Sequence, residues 1–317
     1  MAELKISAAG PYTSLQDSGR TGYQALGVPE GGAVDPDARI TANWLVSQPP
    51  EVAGFEVFIG GLSVQTDTPL AVGLSGSLTD TLSITSTSGH SRVEPAGQTV
   101  YLDAGDTVTV PPLRGTNLAF LAVSARFDLP AVFGSVGISA NARIGGLDGG
   151  TLKTGDRLRL KQVDHKPDYR RLDPSLDILF AAQDSFGVVL GPQDFCFDAE
   201  QIDQLVSADW RLTTRMDRMG LRLSGPALQH KTTADILSDG IVKGAVQVPG
   251  DGQPIILMAD HQTTGGYTKI ATVISADLPR LTRLAAHRTI RFTVASQQEA
   301  EDRARAKSNL IARYLTS

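Results

Sequence analysis

The sequence predicts a mainly β protein: two β-barrel domains in series, with a few short helices and a C-terminal helix. From Ala53 to Leu160 short apolar or alternating runs (FEVFIGG, LAVGLSG, TVYLD, DTVTVPP, NLAFLAV, DRLRLK) are separated by Gly, Pro, Asp and Asn, the pattern of an antiparallel barrel or sandwich. From Lys161 to Pro174 the segment KQVDHKPDYRRLDP is polar and broken by proline, which suits a connection better than a core element. The strand pattern then restarts with ILFAAQ, FGVVLGP, WRLTTR, GLRLSG, IVKGAVQVPG, PIILMAD, TKIATVIS and TIRFTVA. Residues 1–165 are therefore read as the first barrel, and 166–317 as the second barrel with the terminal helix.

Within this plan, DAGDTVTV (103–110) and KTGDRLRL (153–160) share a Gly-Asp turn that feeds an alternating strand, and both read as hairpin corners. Asp35-Pro36 places a capping carboxylate before proline at the first helical position. The helix it opens, Pro36 to Val46, carries Ile40, Trp44 and Leu45 on one face and ends at Pro49-Pro50. Asp198 with Gln201, and Ser296 with Glu299, have capping-box spacing. In the last helix Ala300, Ala304, Ile311 and Leu315 trace an apolar stripe for packing on a barrel, while Glu299/Arg303 and Glu301/Arg305 pair four apart.

A chain of 317 residues with 41% hydrophobic content can bury the cores of two ordinary domains. Its 29 basic and 34 acidic residues give a net charge of −5, scattered rather than massed, so no nucleic-acid footprint is present. One cysteine, Cys196, allows no internal disulfide, and flanked by phenylalanines it reads as a small core residue. The start MAELKISAAG lacks a signal-peptide pattern, and no apolar run approaches the roughly 20 residues of a spanning helix. A cytoplasmic protein without a membrane segment is expected.

The densest polar constellation runs from Arg215 to Lys269, through RMDRMGLRLSGP, GAVQVPGDGQP and MADHQTTGGYTK. In PIILMAD the apolar run argues a buried strand, so Asp260 emerges at its end beside HQTTGG, whose hydroxyls and unencumbered amides suit a carboxylate, an amide or a developing oxyanion. This loop, Asp260 to Lys269, is expected at the mouth of the second barrel. Asp251 in PGDGQP reads as a turn residue, Asp35 is either a cap or part of a site, and Arg218 and Arg222 also read as strand-edge charges. Neither a phosphate-loop motif nor a G-x-S-x-G elbow is present. The five histidines lack the i, i+4 pairing or cysteine company of metal ligands, and no metal site is expected.

Two long stretches, TSLQDSGRTGYQALGVPEGGAVDPDARITANWLV and MDRMGLRLSGP followed by SDGIVKGAVQVPGDGQPIILMADHQTTGGYTKIATVISADLPRL, resemble the signatures of the biotin-dependent carboxyltransferase-like family. That family includes KipA, the C component of 5-oxoprolinase, allophanate hydrolase subunit two and the carboxyltransferase domain of urea carboxylase. The resemblance implies two cyclophilin-like barrels and action as the C component of an ATP-dependent 5-oxoprolinase that opens 5-oxoproline, a small anionic amide, to glutamate. It implies as partners a KipI-like B component and a LamB/YcsF-type A component, with ATP used by the complex and no cofactor bound by this chain. The alternatives are a carboxyltransferase component for a urea-like acceptor, which needs a biotin carrier from another protein because the chain has no Met-Lys-Met acceptor, and a KipA-type regulatory binder of a KipI-like kinase inhibitor.

Carried over by position, the first signature contributes Gln16, Asp17, Arg20 and Asp35 as substrate-binding residues. The second contributes Gln247, Gly266 and Tyr267, with Asp260, Lys269, Thr264 and Arg218 as the catalytic set: Asp260 the acid or base, Lys269 or Arg218 the carboxylate partner, Thr264 an oxyanion donor. The chain departs from the family at Ser124-Ala125, where relatives tend to have Gly-Gly, at Val136 and His261, where arginine is frequent, and at His287-Arg288, where Pro-Gly is common.

Overall fold

The computed structural model describes residues 2–315, which divide into two compact units. The first comprises residues 2–20 and 31–181, with 314–315. Its strands are β1 (Glu3–Ala9), β2 (Tyr12–Gln16), β3 (Gly54–Phe58), β4 (Leu62–Thr66), β5 (Leu70–Ser75), β6 (Thr81–Thr85), β7 (Ser91–Pro95), β8 (Thr99–Leu102), β9 (Thr107–Val110), β10 (Leu118–Val123), β11 (Arg126–Phe127) and β12 (Arg157–Lys161). They form a seven-stranded sheet, β11-β12-β1-β4-β9-β6-β7, and a five-stranded sheet, β2-β3-β10-β5-β8. Ile6, Val64, Ile84 and Val108 of one sheet share a core with Leu15, Phe55, Val72 and Leu121 of the other.

Helix α1 (Pro36–Leu45) packs on β5 and β10. Gly73 permits the approach, because a Cβ there would lie 2.7 Å from Leu45 Cβ. With core on one face and a helix on the other, β5 and β10 are buried throughout, which is why LAVGLS and LAFLAV read as unbroken apolar runs. Asp35 Oδ1 accepts from Ala38 N at 3.0 Å and caps the helix. The buried face differs from the expected one: Ala38, Arg39, Thr41, Ala42, Asn43 and Leu45 are buried, whereas Ile40 and Trp44 are half-buried. Of the expected face only Leu45 is buried, and Ala38 and Ala42 join it.

Both Gly-Asp turns form, with Gly105 and Gly155 at positive φ and the Asp106 and Asp156 carboxylates accepting from the amides of Asp103 and Lys153. They are not hairpins. Strands β8 and β9 belong to different sheets, and β12 pairs with β1 and β11. The expected boundary at residue 165 also differs from the observed division, which follows Ala181. The polar segment is strapped to the first unit: Thr99 N donates to Arg170 O at 2.8 Å, Leu172 N to Gly97 O at 2.7 Å, and the Arg170 guanidinium lies 5.1 Å over the Trp44 ring. Within ILFAAQ a short helix α2 (Asp177–Phe180) replaces the expected strand, because Asp173-Pro174 starts a helical turn in which Asp173 accepts from Ser175 N.

The second unit comprises residues 21–30 and 182–313. It contains β13 (Ser185–Leu190), α3 (Ala199–Ser207), β14 (Trp210–Met216), β15 (Gly220–Ser224), β16 (Asp235–Gly240), β17 (Ala245–Val248), β18 (Ile255–Leu257), β19 (Thr264–Val273), α4 (Leu278–Thr282), β20 (Thr289–Val294) and most of α5 (Gln297–Leu315). The order β13-β20-β14-β15-β18-β17-β19, with β13 pairing back to β19, is a closed seven-stranded barrel, and β16 joins β19 as an additional edge strand. Ser296 and Glu299 form both arms of their capping box, at 2.7 and 3.2 Å. Asp198 and Gln201 do not: α3 has no side-chain cap, since Asp198 pairs with Lys231 and Gln201 Oε1 accepts from Gln229 N. The stripe on α5 is half-buried, and Arg303 ties the helix to Asp277 at 3.2 Å.

Candidate functional site

In the second unit, strand register decides which predicted residues meet. Val246 pairs with Ile256, which pairs with Leu221, and all three are buried. Gln247 pairs with Ile255, which pairs with Arg222, and Arg222 is exposed. Paired residues share a face and neighbours alternate, so Gln247 belongs to the outer face of the barrel wall. Lys269 is its partner across the ladder and lies on the same outer face. The expected loop from Asp260 to Lys269 is a short turn followed by strand β19 from Thr264, so these side chains lie on the wall rather than at the mouth.

On that face Gly265, Tyr267 and Lys269 alternate along β19, and Asp239 of β16 pairs with Gly265. Lys269 has a side chain only 3% exposed, and its Nζ reaches Asp239 Oδ2 at 3.4 Å. Its amide donates to Gln193 Oε1 at 3.2 Å. The Gly240 amide and then Lys269 hold the Asp239 carboxyl below the usual carboxylate range. Gln247 is buried, and its Nε2 has no hydrogen-bond partner among the described residues. Gln247 packs against Gly265, where a Cβ would lie 3.0 Å from Gln247 Nε2 and 2.6 Å from Ile241 Cδ1. A buried ammonium and an amide with a spare donor therefore lie on one face of the wall, where glycine at 265 lets Ile241 and Gln247 pack close.

Nearby in sequence, His261 is buried; its Nδ1 lies 2.6 Å from Gln262 O, and its Nε2 has no partner among the described residues. A carbonyl oxygen only accepts, so Nδ1 carries the hydrogen and, in the neutral ring, Nε2 holds a bare lone pair. Thr264 and Gly266 fall on the opposite face to Lys269 by alternation, and Thr264 is exposed. They do not join the cluster, whereas Tyr267, 42% exposed, borders it.

Arg218 and Asp260 form a separate buried pair. Arg218 Nε and Nη2 donate to Asp260 Oδ2 and Oδ1, both at 2.9 Å, with side chains 4% and 3% exposed. The Asp260 amide also donates to Arg218 O at 2.7 Å. Both carboxylate oxygens are thus committed to a guanidinium, a geometry that pins the turn before β15 to the end of β18 and does not present Asp260 to a substrate. Asp251 lies in an exposed turn, its Oδ1 accepting from Gln253 N. Cys196 is half-buried rather than in the core, on a turn between exposed Phe195 and buried Phe197.

In the first unit Gln16, Asp17 and Arg20 do come together, around residues 132–138. Asp17 accepts from Gly19 N at 2.8 Å, Ser135 Oγ at 2.6 Å, Val136 N at 2.8 Å and Gly137 N at 3.3 Å. Arg20 donates to Val132 O at 3.1 Å and Gly137 O at 2.5 Å. Gln16 donates to Ile138 O at 2.8 Å. These contacts brace a loop that has little regular structure of its own. Asp35 caps α1. Ser124 bridges Ala71 N and Asp164 O.

Residues 26–294 match the family model for the carboxyltransferase domain, subdomains A and B. The chain belongs to this carboxyltransferase family. Within it, the chain is 34% identical over 301 residues to the C component of 5-oxoprolinase from Escherichia coli K12, covering 94% of this chain and 93% of that protein. It is 32% identical over 288 residues to the Haemophilus influenzae protein of the same name, covering 90% and 89%. Among solved structures the K. lactis urea amidolyase is similar at TM-score 0.89 and 25% identity, over 98% of this chain but 20% of that one. The family resemblance read from the two signatures is thereby established, and with it the mainly β architecture. Sequence reasoning passed over two members of the second-unit cluster, Asp239 and Gln193. The strand pairing that brings both to Lys269 is long-range, and no local spacing announces it.

Proposed function

We propose that the chain is the C component of a 5-oxoprolinase, acting in the cytoplasm with partner proteins that use ATP to open 5-oxoproline to glutamate. The observation that carries this reading is the end-to-end likeness to proteins named as that component of 5-oxoprolinase. The second-unit cluster supports it. 5-Oxoproline is small, planar and anionic, and Lys269 offers a buried cation beside a buried amide, Gln247. When the ring C–N bond is cleaved by water, charge develops on the lactam oxygen. The Lys269 ammonium is suited to hold the substrate carboxylate, and an amide N–H held away from water to stabilise that developing charge.

The partners in this reading are a KipI-like B component and a LamB/YcsF-type A component. Strand β16 offers them a surface: it is paired on one edge, and Leu237 on it is 94% exposed. The likeness to the urea amidolyase structure favours a second reading, carboxyl transfer to a urea-like acceptor, with carboxybiotin arriving on a carrier as substrate. One experiment separates them: the purified chain is combined with the KipI-like and LamB/YcsF-type proteins, and ATP-dependent glutamate release from 5-oxoproline is measured. Release that requires this chain supports the first reading. Carboxylation of urea with a biotinylated carrier, and no glutamate release, supports the second, and binding of a KipI-like protein without turnover points to a regulatory role.

A further inference from the structure

The outer face of the second barrel carries an open cavity of about 340 Å³ between the β14–β15 ladder and the turn that precedes β18, within the range of small-ligand pockets. Arg222 of β15 and its ladder partner Ile255 of β18 both line it. Opposite Arg222 the ladder bulges. Leu212 pairs with Leu223 and Met216 with Leu221, so Thr213, Thr214 and Arg215 stand where a regular ladder places one residue. The Arg215 amide donates to Thr213 Oγ1 at 3.2 Å, which folds the bulge back on itself. Bulges re-aim side chains, and this one brings a second arginine and two threonines to the cavity that Arg222 lines. The far wall is pinned: Gln253 Oε1 accepts from Gly225 N at 2.9 Å, and its Nε2 donates to Gly225 O at 3.1 Å.

Arg215 and Arg222 are exposed, and neither guanidinium has an ion-pair or hydrogen-bond partner among the described residues. A single exposed arginine needs no explanation. Two that line one cavity repel each other, and an anion between them relieves the repulsion. Each guanidinium offers a fork of N–H donors matched to a carboxylate. The cavity also has one acid, Asp251. Its Oδ1 accepts from Gln253 N at 3.0 Å, and its Oδ2 has no partner among the described residues. That carboxylate repels the oxygens of a phosphate group and attracts an ammonium. Ile255, half-buried, adds an apolar strip beside Arg222.

We infer that this cavity binds a small amino acid with two carboxylates. Arg215 and Arg222 take the carboxylates, Asp251 Oδ2 accepts from the ammonium, and the aliphatic chain lies on Ile255. Two cations, one anion and an apolar strip are the complement of that ligand in charge and in polarity. The ladder Arg222–Ile255–Gln247 places the cavity on the same face of the wall as the Lys269 cluster, but the claim rests on the cavity's own groups and fails independently of any role for Lys269.

The test is calorimetric titration of the full chain with L-glutamate and L-aspartate, beside glutarate, a diacid without the amine, and inorganic phosphate. At least one of the two amino acids binds the wild type more tightly than glutarate and phosphate do. Arg215→Met and Arg222→Met each weaken it about tenfold or more, the scale of a lost hydrogen-bonded charge contact, with melting temperatures close to the wild type because both side chains are exposed. Asp251→Asn narrows the preference over glutarate, and Lys269→Met binds as the wild type does. Arg215→Gln and Arg222→Gln repeat the test if a methionine variant does not fold. No binding of either amino acid up to about 10 mM, the weak end of small-ligand affinity, overturns the inference. Phosphate or glutarate bound as tightly, arginine variants that bind like the wild type, an undiminished preference in Asp251→Asn, or binding lost in Lys269→Met does so too.

Discussion

Replacing Asp260 by asparagine should unfold the second unit more readily rather than silence an otherwise intact site. Both contacts to Arg218 are 2.9 Å, and both side chains are nearly solvent-free. Asparagine keeps the shape but removes the charge, and its NH2 then faces a guanidinium N–H, donor against donor, at one of the two contacts. Breaking a buried pair from one side costs about 3–5 kcal/mol, on the order of 6–20 °C in melting temperature for a domain of this size class. The double variant Arg218→Met/Asp260→Leu should recover most of that loss, because apolar residues of similar volume often replace a buried ion pair neutrally. Urea denaturation of the two variants beside the wild type decides the matter. If Asp260→Asn unfolds within about 1 kcal/mol of the wild type while turnover by the complex falls about a hundredfold, the scale of a lost general acid or base, the structural assignment is refuted and Asp260 returns to the chemistry.

Three further outcomes are expected. Gly265→Ala puts a methyl against Gln247 Nε2 and the end of Ile241; since the Ile241 side chain can move, the melting curve should change little while turnover falls several-fold as Gln247 is displaced, and wild-type turnover would remove Gln247 from the site. Asp35→Ala should destabilise by about 1 kcal/mol, the usual value of a lost cap, and Asp35→Asn by less, as read from denaturant midpoints; a complex inactivated by Asp35→Asn with normal stability would assign Asp35 to function. Asp209 and Asp239 have folded carboxyls below the ordinary range, held there chiefly by Arg291 and by the Gly240 amide respectively. The unfolded chain therefore binds more protons between the folded and unfolded values, and stability present above about pH 4 is lost as pH falls through the folded values. Asp239→Asn should flatten that acid limb in a pH series of melts, and an unchanged limb would contradict the pairing with Lys269.

Features carried by local chemistry were legible in the sequence: the Asp35 and Ser296 caps, the Gly-Asp turns, and the strands flanked by glycine and proline. Features carried by long-range pairing were not. The Gly-Asp turns give no sign that β8 and β9 belong to different sheets, and nothing in KQVDHKPDYRRLDP announces that Thr99 and Gly97 will bind its backbone. In the candidate site, Gln247 and Lys269 were both singled out from the family signature, and the ladder brings them together. Thr264 was singled out too, yet period-two alternation sends it to the other face.

The central claim is that this chain supplies the second-unit cluster to a 5-oxoprolinase, with Lys269 holding the anionic substrate. The most direct measurement is steady-state glutamate release by the complex reconstituted with its KipI-like and LamB/YcsF-type partners and ATP, comparing wild type with Lys269→Met over a range of 5-oxoproline concentrations. A charge that binds substrate and transition state equally affects KM and leaves kcat, so the account predicts a raised KM at nearly unchanged kcat, with both proteins still assembling. Wild-type KM and kcat in the variant, or no glutamate release from the wild-type complex, would contradict it.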